Sequence, residues 1–189
     1  MTNQTAPGQL EDLREFVNTL DVDDGIEELT SPEALAAWLE PRDLLVEGAD
    51  VGQPELERAL ELRESFRRLL LANNGGERDS AAIESLNHVA EEANISVRFD
   101  PDGHPVLAIA GEGEGAVLAP LVAIAYESMV AGTWSRLKVC PADDCQWAFY
   151  DHSKNHAGTW CSMEVCGNRA KVRRYRQRRD ASKSKSGPE

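Results

Sequence analysis

All four cysteines of this 189-residue chain lie between positions 140 and 166. They form two pairs with the same spacing, Cys140 with Cys145 and Cys161 with Cys166, and each pair encloses four residues. Zinc in structural sites takes four thiolate or imidazole ligands in a tetrahedron, with zinc–sulfur distances of about 2.3 Å. Two short loops can supply four thiolates. The spacing therefore predicts one structural Zn²⁺ ion held by these four cysteines, with no coordination position left open for catalysis.

Three other uses of these cysteines must be compared with zinc. Two disulfides would require an oxidising compartment, and the N-terminal residues contain no secretory signal. A redox-active dithiol usually has two residues between its thiols, whereas each pair here has four. An iron–sulfur cluster could use the same four thiolates and is the main alternative to zinc. His152 and His156 lie between the pairs and could replace a ligand, although four cysteines already complete the shell.

The residues that follow favour a strongly basic helix from about Ser162 to Arg179, because this stretch contains no proline and one glycine. Its bases cover most of the helix circumference and repel one another. Arginine offers phosphate a planar bidentate donor, and each phosphate contact releases condensed counterions. We therefore predict nucleic-acid contacts from Asn168, Arg169, Lys171, Arg173, Arg174, Arg176, Arg178 and Arg179. Asn168 either orients the zinc-bound segment through hydrogen bonds or reads the edge of an adenine base. The alternative for the whole segment is a solvated cationic tail that docks on an acidic part of the chain.

Charge is distributed unevenly along the chain. The net charge is −13, yet residues 1–136 hold nine arginines and no lysine against 27 acids, while residues 137–189 hold eleven bases against six acids. Such an asymmetry indicates two modules with an interaction surface at the basic end. We predict an acidic regulatory or dimerisation domain over residues 1–135, a zinc finger with a basic helix over residues 136–180 and a disordered tail over residues 181–189. The acidic domain is expected to sense a small effector or form a homodimer, and to compete for the basic helix.

The first domain has the apolar spacing of amphipathic helices. Helices are predicted near Leu10 to Leu20, from Ser31 and Pro32, from Pro54, from Ser80, and from Ala116 to about Trp134. Residues 95–99 and 106–110 flank a turn and predict a β-hairpin, and a second hairpin is predicted to pair residues 146–150 with residues 159–160. The predicted fold is mainly α with a small β-hairpin, followed by a small zinc-stabilised finger of a β-hairpin and a helix.

Several classes of protein are excluded by what the sequence lacks. The uncharged run in its most apolar stretch extends from Gly115 to Tyr126 and is shorter than the roughly 20 residues that a membrane-spanning helix needs. The chain contains no Gly-rich phosphate loop, no Gly-x-Ser-x-Gly and no His-Glu-x-x-His motif. We expect a cytoplasmic protein that is not an enzyme and does not enter the membrane.

Two parts of the chain resemble known families. The first cysteine pair with Trp147 and Phe149, and then the run Trp160-Cys161-Ser162-Met163-x-x-Cys166-Gly167-Asn168-Arg169-Ala170-Lys171-Val172-Arg173-Arg174-Tyr175, are similar to the CGNR-type zinc finger. The stretches Phe16-Val17-Asn18-Thr19-Leu20-Asp21 and Pro32-Glu33-Ala34-Leu35-Ala36-Ala37-Trp38-Leu39 resemble the ABATE-type domain that usually precedes this finger. The resemblance implies zinc on the four cysteines, DNA binding and a role as a stress-induced transcription regulator of bacteria. Family members tend to be basic between the two cysteine pairs, whereas residues 151–158 contain a single lysine here.

These observations predict a zinc-dependent transcription regulator. The structural zinc would hold the basic helix so that it contacts double-stranded DNA. The alternative is an RNA-binding or protein-docking zinc module whose N-terminal domain binds a small ligand.

Overall fold

The computed structural model describes the backbone of residues 5–45, 49–110 and 114–184 and the side chains of residues 5–45, 49–110 and 115–178. Its helices are α1 (Leu10–Asn18), α2 (Pro32–Leu39), α3 (Gln53–Asn73), α4 (Ser80–Glu92), α5 (Glu114–Val130) and α6 (Asn168–Ser184). Its strands are β1 (Leu20–Asp21), β2 (Ile26–Glu27), β3 (Ser96–Phe99), β4 (Pro105–Ala108), β5 (Leu137–Val139) and β6 (Ala148–Tyr150), paired in order as three antiparallel hairpins. Two 3₁₀ turns (Glu40–Arg42 and Trp134–Arg136) and a π turn (Met163–Gly167) complete the secondary structure described. The predicted fold class is confirmed.

Two helices begin at the residues that their sequence signals favour. Ser31 caps α2, since its hydroxyl oxygen accepts a hydrogen bond from the amide of Ala34 at 3.2 Å and Pro32 fills the first helical position. Helix α4 begins at Ser80, as predicted, and the carboxylate of the preceding Asp79 caps it by accepting from the amide of Ala82 at 3.0 Å. Each cap satisfies an amide that the helix itself leaves unpaired.

The core of the helical part forms around α3. Phe66 in the middle of this helix is fully buried, and its ring meets the ring of Phe16 from α1 edge-on at 6.5 Å. Trp38 of α2 packs on Phe16 at 5.5 Å, and Leu118 of α5 is also fully buried. Burial of side chains of this size contributes about 1.5–3 kcal/mol each, so the spacing of apolar residues accounts for the association of these helices.

The β5–β6 hairpin belongs to the same core. Leu137 and Val139 on β5 and Ala148 and Tyr150 on β6 are buried in one cluster with the apolar residues of α1, α3 and α5. The strand β5 runs beside α3. The first strands of the predicted finger therefore rest on the helical core instead of forming a core of their own.

The predicted pairing of the finger hairpin is wrong. Strand β6 pairs with β5, with Leu137 opposite Tyr150 and Val139 opposite Ala148, and residues 159–160 form no strand. The reason is that β5 presents apolar residues to α3, so pairing with it satisfies the backbone of β6 and buries both strands in the existing core.

Three further features of the structure bear on the sequence predictions. The short β1–β2 hairpin, which joins α1 to α2, was not predicted. Helix α6 continues to Ser184, within the segment predicted to be disordered, and residues 185–189 lie outside the described residues. In the part of the chain that is described, no helix is long and apolar enough to cross a bilayer.

Candidate metal centre and basic helix

The loop between β5 and β6 positions the first cysteine pair. The amide of Cys140 donates to the carbonyl of Trp147 at 2.9 Å, which extends the hairpin by one bond beyond the strands. The amides of Cys145 and Gln146 both donate to the carbonyl of Ala142, at 2.9 and 3.1 Å, and Gln146 has a left-handed φ of 52°. This tight turn brings the sulfurs of Cys140 and Cys145 to the same buried side of the loop.

The turn before α6 positions the second pair. The hydroxyl of Ser162 accepts from the amide of Val165 at 3.2 Å, and its carbonyl accepts from the amide of Gly167 at 3.0 Å. The π turn between these bonds carries Cys166. At Gly167 a Cβ atom would lie 2.7 Å from the sulfur of Met163, so this turn requires glycine unless Met163 moves.

The four cysteine sulfurs converge on one point. All of them lie within 4.8 Å of one another, with 3.5 Å between Cys145 and Cys161 and 3.7 Å between Cys161 and Cys166. Four sulfurs at about 2.3 Å from a tetrahedral zinc are about 3.8 Å apart, whereas disulfide sulfurs are about 2.05 Å apart. The four cysteines form no disulfide with one another and are positioned to bind one zinc ion, as predicted.

The sulfurs also change one another's ionisation. Hydrogen bonds from the thiols of Cys145 and Cys161 lower the pKa of Cys140. The same hydrogen bonds raise the pKa of Cys145 and Cys161, and burial raises the pKa of Cys166. Four sulfurs this close can all be thiolates only with a cation between them, which is the charge that zinc supplies.

Aromatic side chains and a buried ion pair surround the centre. Trp147 and Trp160 pack against the cysteine cluster, while Phe149 is buried on β6 without joining that cluster. Lys138, which is 4% exposed, donates to the carboxylate of Asp151 at 2.7 Å.

The ion pair shapes the loop between the two cysteine pairs. The ammonium of Lys138 also donates to the carbonyls of His156 and Gly158, at 2.7 and 3.0 Å. Burial by itself would raise the pKa of Asp151, but the hydrogen bonds from Lys138 and Ser153 lower it overall. The sequence interpretation missed this pair.

Neither histidine of the loop belongs to the group of metal ligands. His152 interacts through Nε2 with the carbonyl of Thr5 at 2.8 Å. His156 is exposed and contributes its backbone carbonyl to Lys138. Among the described residues, the metal-binding group at this position consists of the four cysteines.

Polar side chains of the helical part hold the finger in place. Asn18 bonds both to the amide and to the carbonyl of Ala148 on β6, at 2.7 and 2.9 Å, within the buried interface. The side-chain amide of Asn74 donates to the carbonyls of Val139 and Thr159, each at 2.8 Å, so it joins β5 to the residues before Cys161. Asn18 lies outside the stripe formed by Leu10, Leu13 and Phe16 on α1, so the spacing of apolar residues gave no signal of its contact with Ala148.

Helix α6 begins at the metal centre and carries the predicted nucleic-acid contacts. The side-chain amide of Asn168 donates to the carbonyl of Glu164 at 3.0 Å and so ties the helix to the π turn. Arg169 lies 3.2 Å from the carboxylate of Asp23, in the turn between β1 and β2, and this hydrogen bond raises the pKa of Arg169. Arg173 lies 3.2 Å from Asp144, and its hydrogen bond lowers the pKa of that carboxyl.

The bases of α6 fall on two faces. Arg169, Arg173 and Arg176 line an open groove of about 670 Å³ against the first cysteine loop; we call this the groove face. Lys171, Arg174 and Arg178 lie on the opposite side, as their spacing on a helix requires; we call this the outer face. The three outer-face residues are exposed and form no ion pair with any residue that the structure describes. The side chain of the last predicted contact, Arg179, lies outside the described side chains.

Comparisons with known families match nearly the whole chain. The ABATE family, described as "Putative stress-induced transcription regulator", matches residues 14–132, and the CGNR zinc finger family matches residues 136–179. The order of the two matches agrees with the resemblance noted in the sequence. A comparison with curated proteins gives no match.

Proposed function

This chain belongs to the ABATE family and carries a CGNR zinc finger after that domain, and from this premise we propose that it is a transcription regulator that binds double-stranded DNA through α6. Zinc has a structural role in this proposal. Cys166 in the turn before α6 and the two cysteines of the loop after β5 would hold the ion together, and this would fix the direction of the helix relative to the core. A shell of four thiolates leaves no position for substrate, so we propose no enzymatic activity.

The observation that carries the proposal is the set of outer-face bases on α6. Lys171, Arg174 and Arg178 are exposed on a helix that spans 17 residues, or about 25 Å, and no described carboxylate neutralises them. The major groove of DNA is about 12 Å wide and admits a helix. We propose that the outer face makes the first phosphate contacts, since the groove face is lined by the carboxylates of Asp144 and Glu164.

The other predicted contacts have conditional roles. Arg169 and Arg173 become available to DNA when a phosphate displaces Asp23 and Asp144, and Arg176 and Arg179 extend the contact along the helix. Asn168 orients the helix through its bond to Glu164, which favours the structural role over base reading.

The acidic domain would lie away from the DNA because residues 1–136 carry a large excess of acids. The family description supports a regulatory response to stress, and in a bacterium that activity would take place in the cytoplasm, where the chromosome lies. Homodimer formation through this domain stays a prediction.

The test is the salt dependence of DNA binding by the full zinc-loaded chain. With about five to seven phosphate contacts, the plot of log affinity against log salt should have a slope of about −4.5 to −6.3. Replacing Lys171, Arg174 and Arg178 together by glutamine should reduce the magnitude of that slope by about 2.7. The matched control replaces Arg169, Arg173 and Arg176 by glutamine, which removes the same charge from the groove face and should cost less affinity.

Two results would overturn the proposal. One is a slope near zero for the wild-type chain. The other is tighter binding of structured RNA or single strands than of duplex DNA in direct competition, which would favour the RNA-binding alternative.

A further inference from the structure

A cavity of about 440 Å³ lies between α3, α4 and α5, away from the cysteine cluster. Its walls are mainly apolar and include Leu86, Val122 and Trp134. At its open side, Ile83, Tyr126 and Met129 are 43–48% exposed although they are large apolar residues. Ligand pockets in proteins are clefts of about 300–1,000 Å³ with apolar walls and a few polar groups, and this cavity has both properties.

The polar group that distinguishes this cavity is Arg78. Nine arginines occur in residues 1–136, and seven of them donate hydrogen bonds or form ion pairs with neighbouring groups. Arg78 and Arg98 have no such partner among the residues that the structure describes. Only the first of these two lines the cavity, and none of the cavity's lining residues is acidic.

A cationic residue at the rim of an apolar cavity favours ligands that carry a negative charge. An unpaired guanidinium can bind a carboxylate through two parallel hydrogen bonds, while apolar walls favour a hydrocarbon or aromatic body. We propose that this pocket binds a small carboxylic acid with an apolar body, whose carboxylate pairs with Arg78 and whose body lies against Val122, Tyr126 and Trp134.

The pocket shares two residues with the support of the zinc finger. The side-chain amide of Asn73 donates to the carbonyls of Trp134 and Leu137, each at 2.9 Å, and both Asn73 and Trp134 line the cavity. Leu137 begins β5, which leads directly to Cys140. A ligand in this pocket would therefore contact Asn73 and Trp134, which support the start of β5. Its binding could shift the first cysteine loop and so change the geometry of the metal centre.

The experiment measures calorimetric binding of phenylbutyrate, octanoate and indoleacetate to the full zinc-loaded chain, without nucleic acid. We expect at least one of these acids to bind saturably with one site per chain. Arg78→Gln should weaken that binding about tenfold, and Arg98→Gln, which removes the same charge outside the pocket, should leave it unchanged. Phenylbutanol, which has the phenylbutyrate body without its charge, should bind both variants alike.

A second pair of variants locates the ligand independently of charge. Met129→Trp places a larger side chain in the open side of the cavity and should abolish binding, whereas Val130→Trp, at an exposed neighbour outside the lining, should not. Absence of saturable binding by all three acids up to about 5 mM, or equal binding by Arg78→Gln and the wild type, would overturn the proposal. Because no DNA is present, either result leaves the proposed DNA binding untouched.

Discussion

At the scale of the residue, the pair of Lys138 and Asp151 shows how a buried charge organises a loop. The carboxylate of Asp151 accepts from Lys138, from the amide of Ser153 at 2.9 Å and from the amide of Gly158 at 2.8 Å. A buried charge is tolerated when its hydrogen-bonding capacity is filled in this way. The same pair explains Gly158, since a Cβ atom there would lie 2.6 Å from the Asp151 carboxylate.

Removing the ammonium should destabilise the fold strongly. In Lys138→Met the carboxylate of Asp151 remains buried without its countercharge, so the free energy of unfolding should fall by about 3 kcal/mol. Chemical denaturation of the zinc-loaded chain measures this loss. Lys154→Met removes an exposed lysine of the same loop and should change stability by less than about 0.5 kcal/mol; equal effects of the two substitutions would contradict the role of the pair.

At the scale of the element, the β5–β6 hairpin is held by side chains of helices that are distant in sequence. Asn18 satisfies both backbone groups of Ala148, and the guanidinium of Arg67 donates to the carbonyl of Gln146 at 2.8 Å. Because this hairpin carries Cys140 and Cys145, the same contacts set the position of half of the metal ligands.

Loss of the Asn18 contacts should loosen the hairpin. In Asn18→Ala the buried amide and carbonyl of Ala148 lose their partners, and leaving such a group unsatisfied costs about 1–3 kcal/mol. We expect lower stability in denaturation experiments together with faster zinc release to a chelator. The control is Asn155→Ala, which changes an exposed asparagine in the loop between the cysteine pairs. Unchanged zinc release in Asn18→Ala would mean that the contacts of Asn18 with the hairpin do not affect the metal centre.

At the scale of the whole molecule, the zinc finger is built on the core of the acidic domain and remains in contact with it at the start of α6. The strands of the finger share their apolar cluster with α1 and α3, and Arg169 bonds to Asp23. Small zinc modules usually depend on the metal for folding. Here that dependence should be confined to the parts beyond the hairpin.

Zinc removal should therefore have a partial effect. Because β5 and β6 remain buried against α3, the chelated chain should keep most of its helical circular dichroism, while the turn before α6 loses its fixed position and DNA binding falls. Complete unfolding of the chain on chelation would show that the core shared by the helices and the β5–β6 hairpin is not stable without the metal. Unchanged DNA affinity would remove zinc from the proposed function.

The acidic domain is predicted to compete with DNA for the basic helix, and the contact of Asp23 with Arg169 is a place where this competition can occur. Asp23→Asn removes the closer of the two carboxylates that pair with Arg169, the other being Asp144 at 3.8 Å. It should tighten DNA binding about two- to fivefold, a small change because the ion pair is exposed. Asp24→Asn removes the same charge from the same turn without touching Arg169 and controls for general repulsion. Equal effects of the two variants would mean that the contact itself does not compete with DNA.

The sequence by itself determined the features that depend on residue type and short spacing. The two cysteine pairs define the metal ligands because thiolates separated by four residues fit one tetrahedral ion. Capping residues and apolar periodicity placed the helices, since both act within one or two turns. The charge of α6 can be counted without knowing the fold.

Only the tertiary structure decided what depends on contacts between distant residues. Backbone hydrogen bonds are alike whichever strand supplies them, so the choice of β5 as the partner of β6 follows from the packing of both strands on α3. The same holds for Asn18 against β6, for Asp23 beside Arg169 and for Arg78 at the cavity between α3, α4 and α5. Each brings together groups whose separation in the sequence carries no information about their separation in space.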